Sequence, residues 1–208
     1  MESILEKWRS LTQPPSIVAF FRGLFERVGI RVTNTGEQFA GRHSGDRIDF
    51  EPTLEPGKVD FIVEIQSSQV DRLAAHVREG EIDEAEQYRI VSTLFTSATA
   101  AMLKNPVLSH PWLRWIAGVE DLIHVHLQPA PPTEPAVQHT LICANRQWLV
   151  LPGLHGKARQ VYRLSSADAL FYHKRVFATL KSNRWRDWIK FAFWYRGWRK
   201  KVSTRDRS

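Results

Sequence analysis

A chain of 208 residues suffices for one domain, or one domain with an extension, and can bury a substantial core. Its 43% hydrophobic and 25% charged content is that of an ordinary globular protein, and its single cysteine, Cys143, excludes an internal disulfide framework or a cysteine-rich zinc site. The formal charge of +7 is unevenly placed: Lys181–Ser208 hold ten Lys/Arg against Asp187 and Asp206, a net +8, whereas the first 180 residues, with 19 basic and 20 acidic side chains, balance at −1.

No apolar run reaches the ~18 residues of a membrane-spanning helix. The first residues, Met1 to Trp8, lack the basic stretch and uninterrupted apolar core of a signal peptide. A cytoplasmic location, free or peripheral at a membrane, is expected.

Pro14-Pro15-Ser16 opens a predicted helix in which Ile17, Phe20, Phe21, Leu24 and Val28 form one apolar face. The period then changes to two. Ile30 and Val32 predict a strand, Asn34-Thr35-Gly36 a turn, and a short strand follows near Phe39. Ser44-Gly45-Asp46 turns the chain into Arg47–Glu51, where Asp49 and Glu51 are expected to be exposed strand charges, as is Asp46. Val59, Phe61, Val63 and Ile65 then alternate with Asp60, Ile62, Glu64 and Gln66, the clearest strand in the sequence.

Ser68 with Asp71 has capping-box spacing; Val70, Leu73, Ala74 and Val77 form the stripe behind it, and Gly80 is the expected stop. Asp83 with Glu86 repeats the box ahead of a long helix, about Glu84 to Leu103, that Asn105-Pro106 ends. Leu122–Leu127 reads as a strand, Pro129–Pro135 as a proline-rich loop, and Thr140–Ala144, Gln147–Leu151 and Gln160–Leu164 as short antiparallel strands. Helix is expected from Ser165 onward, and no internal repeat is evident. Runs of adjacent strands predict an α+β fold: a largely antiparallel five- or six-stranded sheet covered by helices, with a basic aromatic C-terminal helix. The expected organisation is an α+β ligand-binding domain at 1–164 and a helical extension at 165–208.

The segment Asp60-Phe-Ile-Val-Glu-Ile-Gln-Ser-Ser-Gln-Val-Asp-Arg-Leu-Ala-Ala-His-Val-Arg-Glu-Gly80 resembles the strand-then-helix segment of sterol carrier protein 2-like domains, and the element order over about 15–151 resembles that fold. The resemblance implies helices over a curved five-stranded sheet enclosing an apolar tunnel for acyl chains, sterols or polyprenyl compounds. After Gly80 the chain departs from the family, because a long helix replaces a short helix and a glycine-flanked strand. The family's pocket is defined by apolar lining, so no site residues carry over from it.

Three functions are in view. The first is non-enzymatic binding of a lipid or other hydrophobic ligand at an anionic membrane surface, with no cofactor. Its pocket would lie between the sheet and the helices, lined by Phe20, Phe21, Leu24, Phe61, Val63, Leu73, Leu94, Phe95, Met102 and Trp115. Arg184, Trp185, Arg186, Trp188, Lys190, Trp194, Trp198, Arg199, Lys200 and Lys201 would bind the membrane, since Trp favours the headgroup level and basic residues an anionic leaflet. A helical projection gathers Trp185, Trp188, Ile189, Phe191, Ala192 and Tyr195 on one side, with Arg196 and Arg199 intruding on it. The alternative for these aromatics is to cap the domain's own core.

The second function is a metal-dependent enzyme using His124 and His126, which strand alternation places on one face. His139 or Asp121 would have to supply a third ligand; otherwise the two are histidines on the polar face of a strand. The third is a protein- or nucleic-acid-interaction module acting through the tail, since aromatics stack on bases and cations neutralise phosphate. Cys143 reads as a buried structural thiol, and Trp112 and Trp115 as core anchors or pocket walls.

Overall fold

The first apolar stripe stops earlier than its periodicity predicts. In the computed structural model, which describes residues 3–11, 14–77, 82–129, 135–182 and 184–204, helix α2 (Pro15–Phe21) ends in a turn where Arg22 is extended, with ψ 125°, and Gly23 has φ +78°. A left-handed residue cannot continue a right-handed helix. Val28 therefore leaves the predicted helix face and enters strand β1, where it is still buried.

The chain divides into two units, Met1–Ala98 and Thr99–Ser208. The first comprises α1 (Ile4–Leu11), α2, β1 (Arg27–Val32), β2 (Gln38–Ser44), β3 (Arg47–Glu51), a 3₁₀ turn at Pro56–Lys58, β4 (Phe61–Ile65), α3 (Ser67–Val77) and the start of α4 (Glu84–Leu103). Its sheet runs β3-β2-β1-β4, with β1 parallel to β4 and the other pairs antiparallel. The second comprises α5 (Pro111–Ala117), β5 (Leu122–Leu127), β6 (Val137–Ala144), β7 (Gln147–Pro152), β8 (Gln160–Leu164), α6 (Ser166–Ser182), α7 (Trp185–Val202) and the two-residue β9 (Ser203–Thr204). Its sheet runs β7-β6-β5-β8-β9, again with the first and fourth strands, β5 and β8, parallel.

The expected single five- or six-stranded, largely antiparallel sheet is thus replaced by two mixed four-stranded sheets, the second extended by β9. Hydrophobic alternation reports which face of a strand is buried but not which strand lies beside it. The boundary between the units falls inside α4, and α6 and α7 belong to the unit that contains β5–β9.

The two units repeat one topology: helix, four strands in the same order and sense, then two helices. The repeat holds at the level of single hydrogen bonds. His43 N–H donates to the Glu26 carbonyl at 2.9 Å, as Cys143 N–H does to Asp121 at 2.8 Å. Thr33 N–H donates to Ile65 and Gln128 N–H to Leu164, both at 2.8 Å. Both hairpins close with two residues in the same register, Ser44 opposite Arg47 and Ala144 opposite Gln147. Their tight turns need positive φ, supplied by Gly45 in one and by Asn145 and Arg146 in the other.

Helix starts follow the sequence in part. Asp83 Oδ1 accepts the Glu86 N–H at 2.7 Å, as its spacing predicts. The expected Ser68–Asp71 box does not form: Asp71 is ion-paired with Lys7 at 2.6 Å, and α3 begins with Ser67 N–H donating to Asn34 Oδ1. Gly80, residues 130–134 of the proline-rich loop and Asn183 lie outside the described residues.

Candidate functional site

In the first unit a cavity of about 80 Å³, partly open to solvent, lies between the sheet and helices α1, α3 and α4. Phe21, Val28, Ile48, Val63, Leu73 and Leu94 are among its apolar walls. Four of the ten expected pocket residues therefore line it: Phe21, Val63, Leu73 and Leu94. Leu24, Phe61 and Phe95 are buried core residues outside its lining, and Phe20 is half-buried, edge-on to Phe21. Met102 and Trp115 belong to the second unit, and Trp115 is 77% exposed.

Sequence reading missed the polar end of this cavity. Glu86 is 1% exposed, and its Oε2 accepts from Arg72 Nε at 3.0 Å and Arg89 Nη1 at 3.1 Å. Arg72, Glu86 and Arg89 thus form a charged cluster beside apolar walls. The capping spacing of Asp83 and Glu86 pointed to a helix start, but only the fold turns Glu86 inward.

The second unit has a smaller cavity, about 60 Å³, in the corresponding place. Counted from equivalent element starts, Phe21, Ile48, Leu73, Ile90 and Leu94 of the first lining become Ala117, Trp148, Tyr172, Phe191 and Tyr195 of the second. Aromatic rings replace aliphatic side chains at four of these five positions. Burial also binds them to one another: Tyr195 O–H donates to Tyr162 Oη at 3.0 Å, and Tyr162 O–H to Gln160 Oε1 at 3.1 Å. Desolvation pushes Tyr162 up to about 12 and raises Tyr172 and Tyr195 as well.

Helix α7 sorts the basic aromatic tail into two halves. One half is core: Trp188, Phe191, Ala192 and Tyr195 are buried, and Trp198 stacks on Tyr172 with centroids 5.0 Å apart. Arg199 also faces inward, its Nη1 donating at 2.5 Å to the Gly118 carbonyl, which accepts Gln160 Nε2 as well. That contact explains why a basic residue interrupts the apolar side of the projection. The other half is exposed and carries Arg186, Lys190, Arg196, Lys200 and Lys201, with Trp185 49% and Phe193 61% exposed among them. The one acid in the helix, Asp187, is half-buried. Trp194 sits at the edge of this face, against Phe171 of α6 and under the Arg175 guanidinium.

Of the expected membrane-binding residues, Arg184, Trp185, Arg186, Lys190, Lys200 and Lys201 are exposed, and Trp194 is half-buried. Trp188, Trp198 and Arg199 are engaged in the second unit's own packing. Phe193, Arg196 and Phe171 were missed, although a helical projection weighted by which half is apolar would have found the first two. Trp112 and Trp115, expected as core anchors or pocket walls, are 43% and 77% exposed.

His124 and His126 share a face of β5, but His124 Nε2 meets the His155 carbonyl at 3.1 Å. Among the described residues no group of three or more His, Cys, Asp or Glu side chains could hold a metal ion. Burial lowers the pKa of His126, with Arg163 and His124 adding to the shift, and it also lowers that of His139. Cys143 is buried, its thiol pKa raised chiefly by desolvation, with Arg114 Nη1 3.2 Å from Sγ. Among the described residues no helix is long and apolar enough to cross a membrane.

Comparison of the chain with known protein families, with curated proteins and with solved structures finds no match.

Proposed function

We propose that the chain is a non-enzymatic binder of a lipid or similar hydrophobic ligand that works at an anionic membrane surface. The first unit's cavity carries this reading, because apolar walls end at the Arg72–Glu86–Arg89 cluster. An amphiphile fits that pattern: an alkyl segment enters the apolar part, where each buried CH₂ contributes about 0.8 kcal/mol. A polar head stays beside that charged cluster. The exposed half of α7 supports the membrane part, since each Lys or Arg near an anionic leaflet contributes about 1 kcal/mol.

Native mass spectrometry of gently purified protein, together with titration of a fluorescent fatty acid, tests the ligand reading. The wild type should carry an apolar adduct and bind the probe with saturation. Leu73→Trp, which fills the cavity, should lose both while keeping its fold by circular dichroism. An adduct and probe affinity unchanged in Leu73→Trp would overturn the assignment of the site.

A further inference from the structure

The repeat contains its own control. Helices α2 and α5 occupy the same place in the two units, start with Pro15 and Pro111, and have closely matched burial. Ile17 and Leu113 are buried at one equivalent position and Phe21 and Ala117 at another, and these anchor the helices. The exposed equivalent positions hold Ser16 and Ala19 in α2 but Trp112 and Trp115 in α5. The fold therefore does not require an aromatic at either place. Two exposed indoles, Trp112 against Trp185 and Trp115 at 77% exposure, at positions a serine and an alanine can fill point to something outside the unit that covers them.

We infer that Trp112, Trp115 and Trp185 form an edge that seats in the headgroup layer of an anionic membrane, beside the cationic half of α7. This deepens the membrane part of the proposed function and rests on it. Trp185 stacks on Trp112 with ring centroids 5.6 Å apart and planes 18° from parallel, so α5 and α7 present their indoles together. Helix α5 is a firm support: its apolar side is buried, and Gly118 closes it with φ +66° while accepting the Arg199 and Gln160 donors. Indoles favour the interface because the ring body is apolar and the N–H is wet. The occupant follows from charge. The exposed half of α7 carries five cations with Phe193 among them, while the helix's one acid, Asp187, is half-buried, the mixture that suits an anionic leaflet. The two parts have different signatures, since salt screens the cations and leaves indole insertion largely intact.

The test is co-flotation of the full chain with phosphatidylcholine vesicles and with vesicles containing phosphatidylserine, at low and high salt. It is run beside Trp112→Ser/Trp115→Ala, which copies the first unit's residues and should keep the folded circular dichroism, with a urea midpoint lowered by no more than the lost Trp112–Trp185 stack. The wild type should float with the anionic vesicles and retain a fraction at high salt. The variant should bind about tenfold more weakly and lose the salt-resistant fraction. If the wild type floats with no vesicle, the membrane reading itself fails. If wild type and variant float alike, that reading stands and the indole edge is overturned. Tight binding of a single-stranded oligonucleotide that the variant loses, with no flotation, assigns the edge to nucleic acid and overturns the membrane.

Discussion

Arg199→Ala tests whether α7 has been divided correctly, because sequence alone groups Arg199 with Lys200 and Lys201 whereas the fold separates them. Arg199 Nη1 donates to the Gly118 carbonyl at 2.5 Å, and Gly118 Cα lies so close that an added Cβ would stand 2.5 Å from Nη2. A hydrogen bond from a charged donor contributes about 1.5–3 kcal/mol. The carbonyl would keep its Gln160 donor at 2.8 Å, and Arg199 is half-exposed, so the low end applies. A loss of about 1–2 kcal/mol, with a urea slope of about 1–3 kcal/mol per molar, moves the midpoint down by roughly 1 M. Vesicle binding should stay at the wild-type level. Lys200→Ala should do the opposite, losing about 1 kcal/mol of membrane attraction with stability within about 0.5 kcal/mol of wild type. Gly118→Ala gives a second view of the same contact: the left-handed backbone costs about 1–2 kcal/mol, and the new methyl displaces the guanidinium. In an Arg199→Ala background only the backbone cost remains, so the two changes should be sub-additive. An Arg199→Ala protein that keeps its urea midpoint but loses vesicle affinity would refute the division of the helix.

Three further outcomes follow from the same packing. Trp188→Ala, at a site only 4% exposed, should cost about 3–5 kcal/mol in urea unfolding; a cost near zero would mean the tail does not form core. Glu86→Ala should destabilise by about 1–3 kcal/mol because it removes two charge-assisted hydrogen bonds at a buried site, whereas a change below about 0.5 kcal/mol would dismiss the cluster. Tyr162, held at about 12 against an ordinary 10, keeps its proton in the folded chain after the unfolded chain has lost it. Its contribution is therefore fully present below pH 10 and is lost as pH rises through 12. Unfolding midpoints should fall across that window and fall less in Tyr162→Phe.

Local periodicity was legible wherever one side chain's burial fixed it. The alternation of Phe61, Val63 and Ile65 gave β4, and the strand Leu122–Leu127 and the helix Glu84–Leu103 stand where their patterns put them. What failed was anything that depends on a distant partner. Val28 satisfies a helical stripe and a strand face equally well, and Gly23 decides between them through a backbone angle that spacing does not encode. The hairpin of β6 and β7 pairs antiparallel as expected, but Gln160–Leu164, expected as a further antiparallel strand, lies parallel to β5, and that longer-range pairing was missed for the same reason. The tail's composition was read correctly as cationic and aromatic, but sorting it required knowing which side of α7 the sheet covers. Trp198 and Trp185 look alike in sequence; one stacks on Tyr172 and the other on Trp112 at the surface.

The repeat escaped notice because its two copies agree in geometry and not in residues. Equivalent strands Arg-Val-Gly-Ile-Arg-Val and Leu-Ile-His-Val-His-Leu share only their alternation, which many strands share. Core positions accept any apolar side chain of workable volume, so a module can keep its topology while its letters drift. That freedom lets two copies take different work. In the first, Leu73, Ile48 and Leu94 leave room beside a buried charge cluster. In the second, Tyr172, Trp148 and Tyr195 line a somewhat smaller cavity, and the spare aromatics and cations stand outside on α5 and α7.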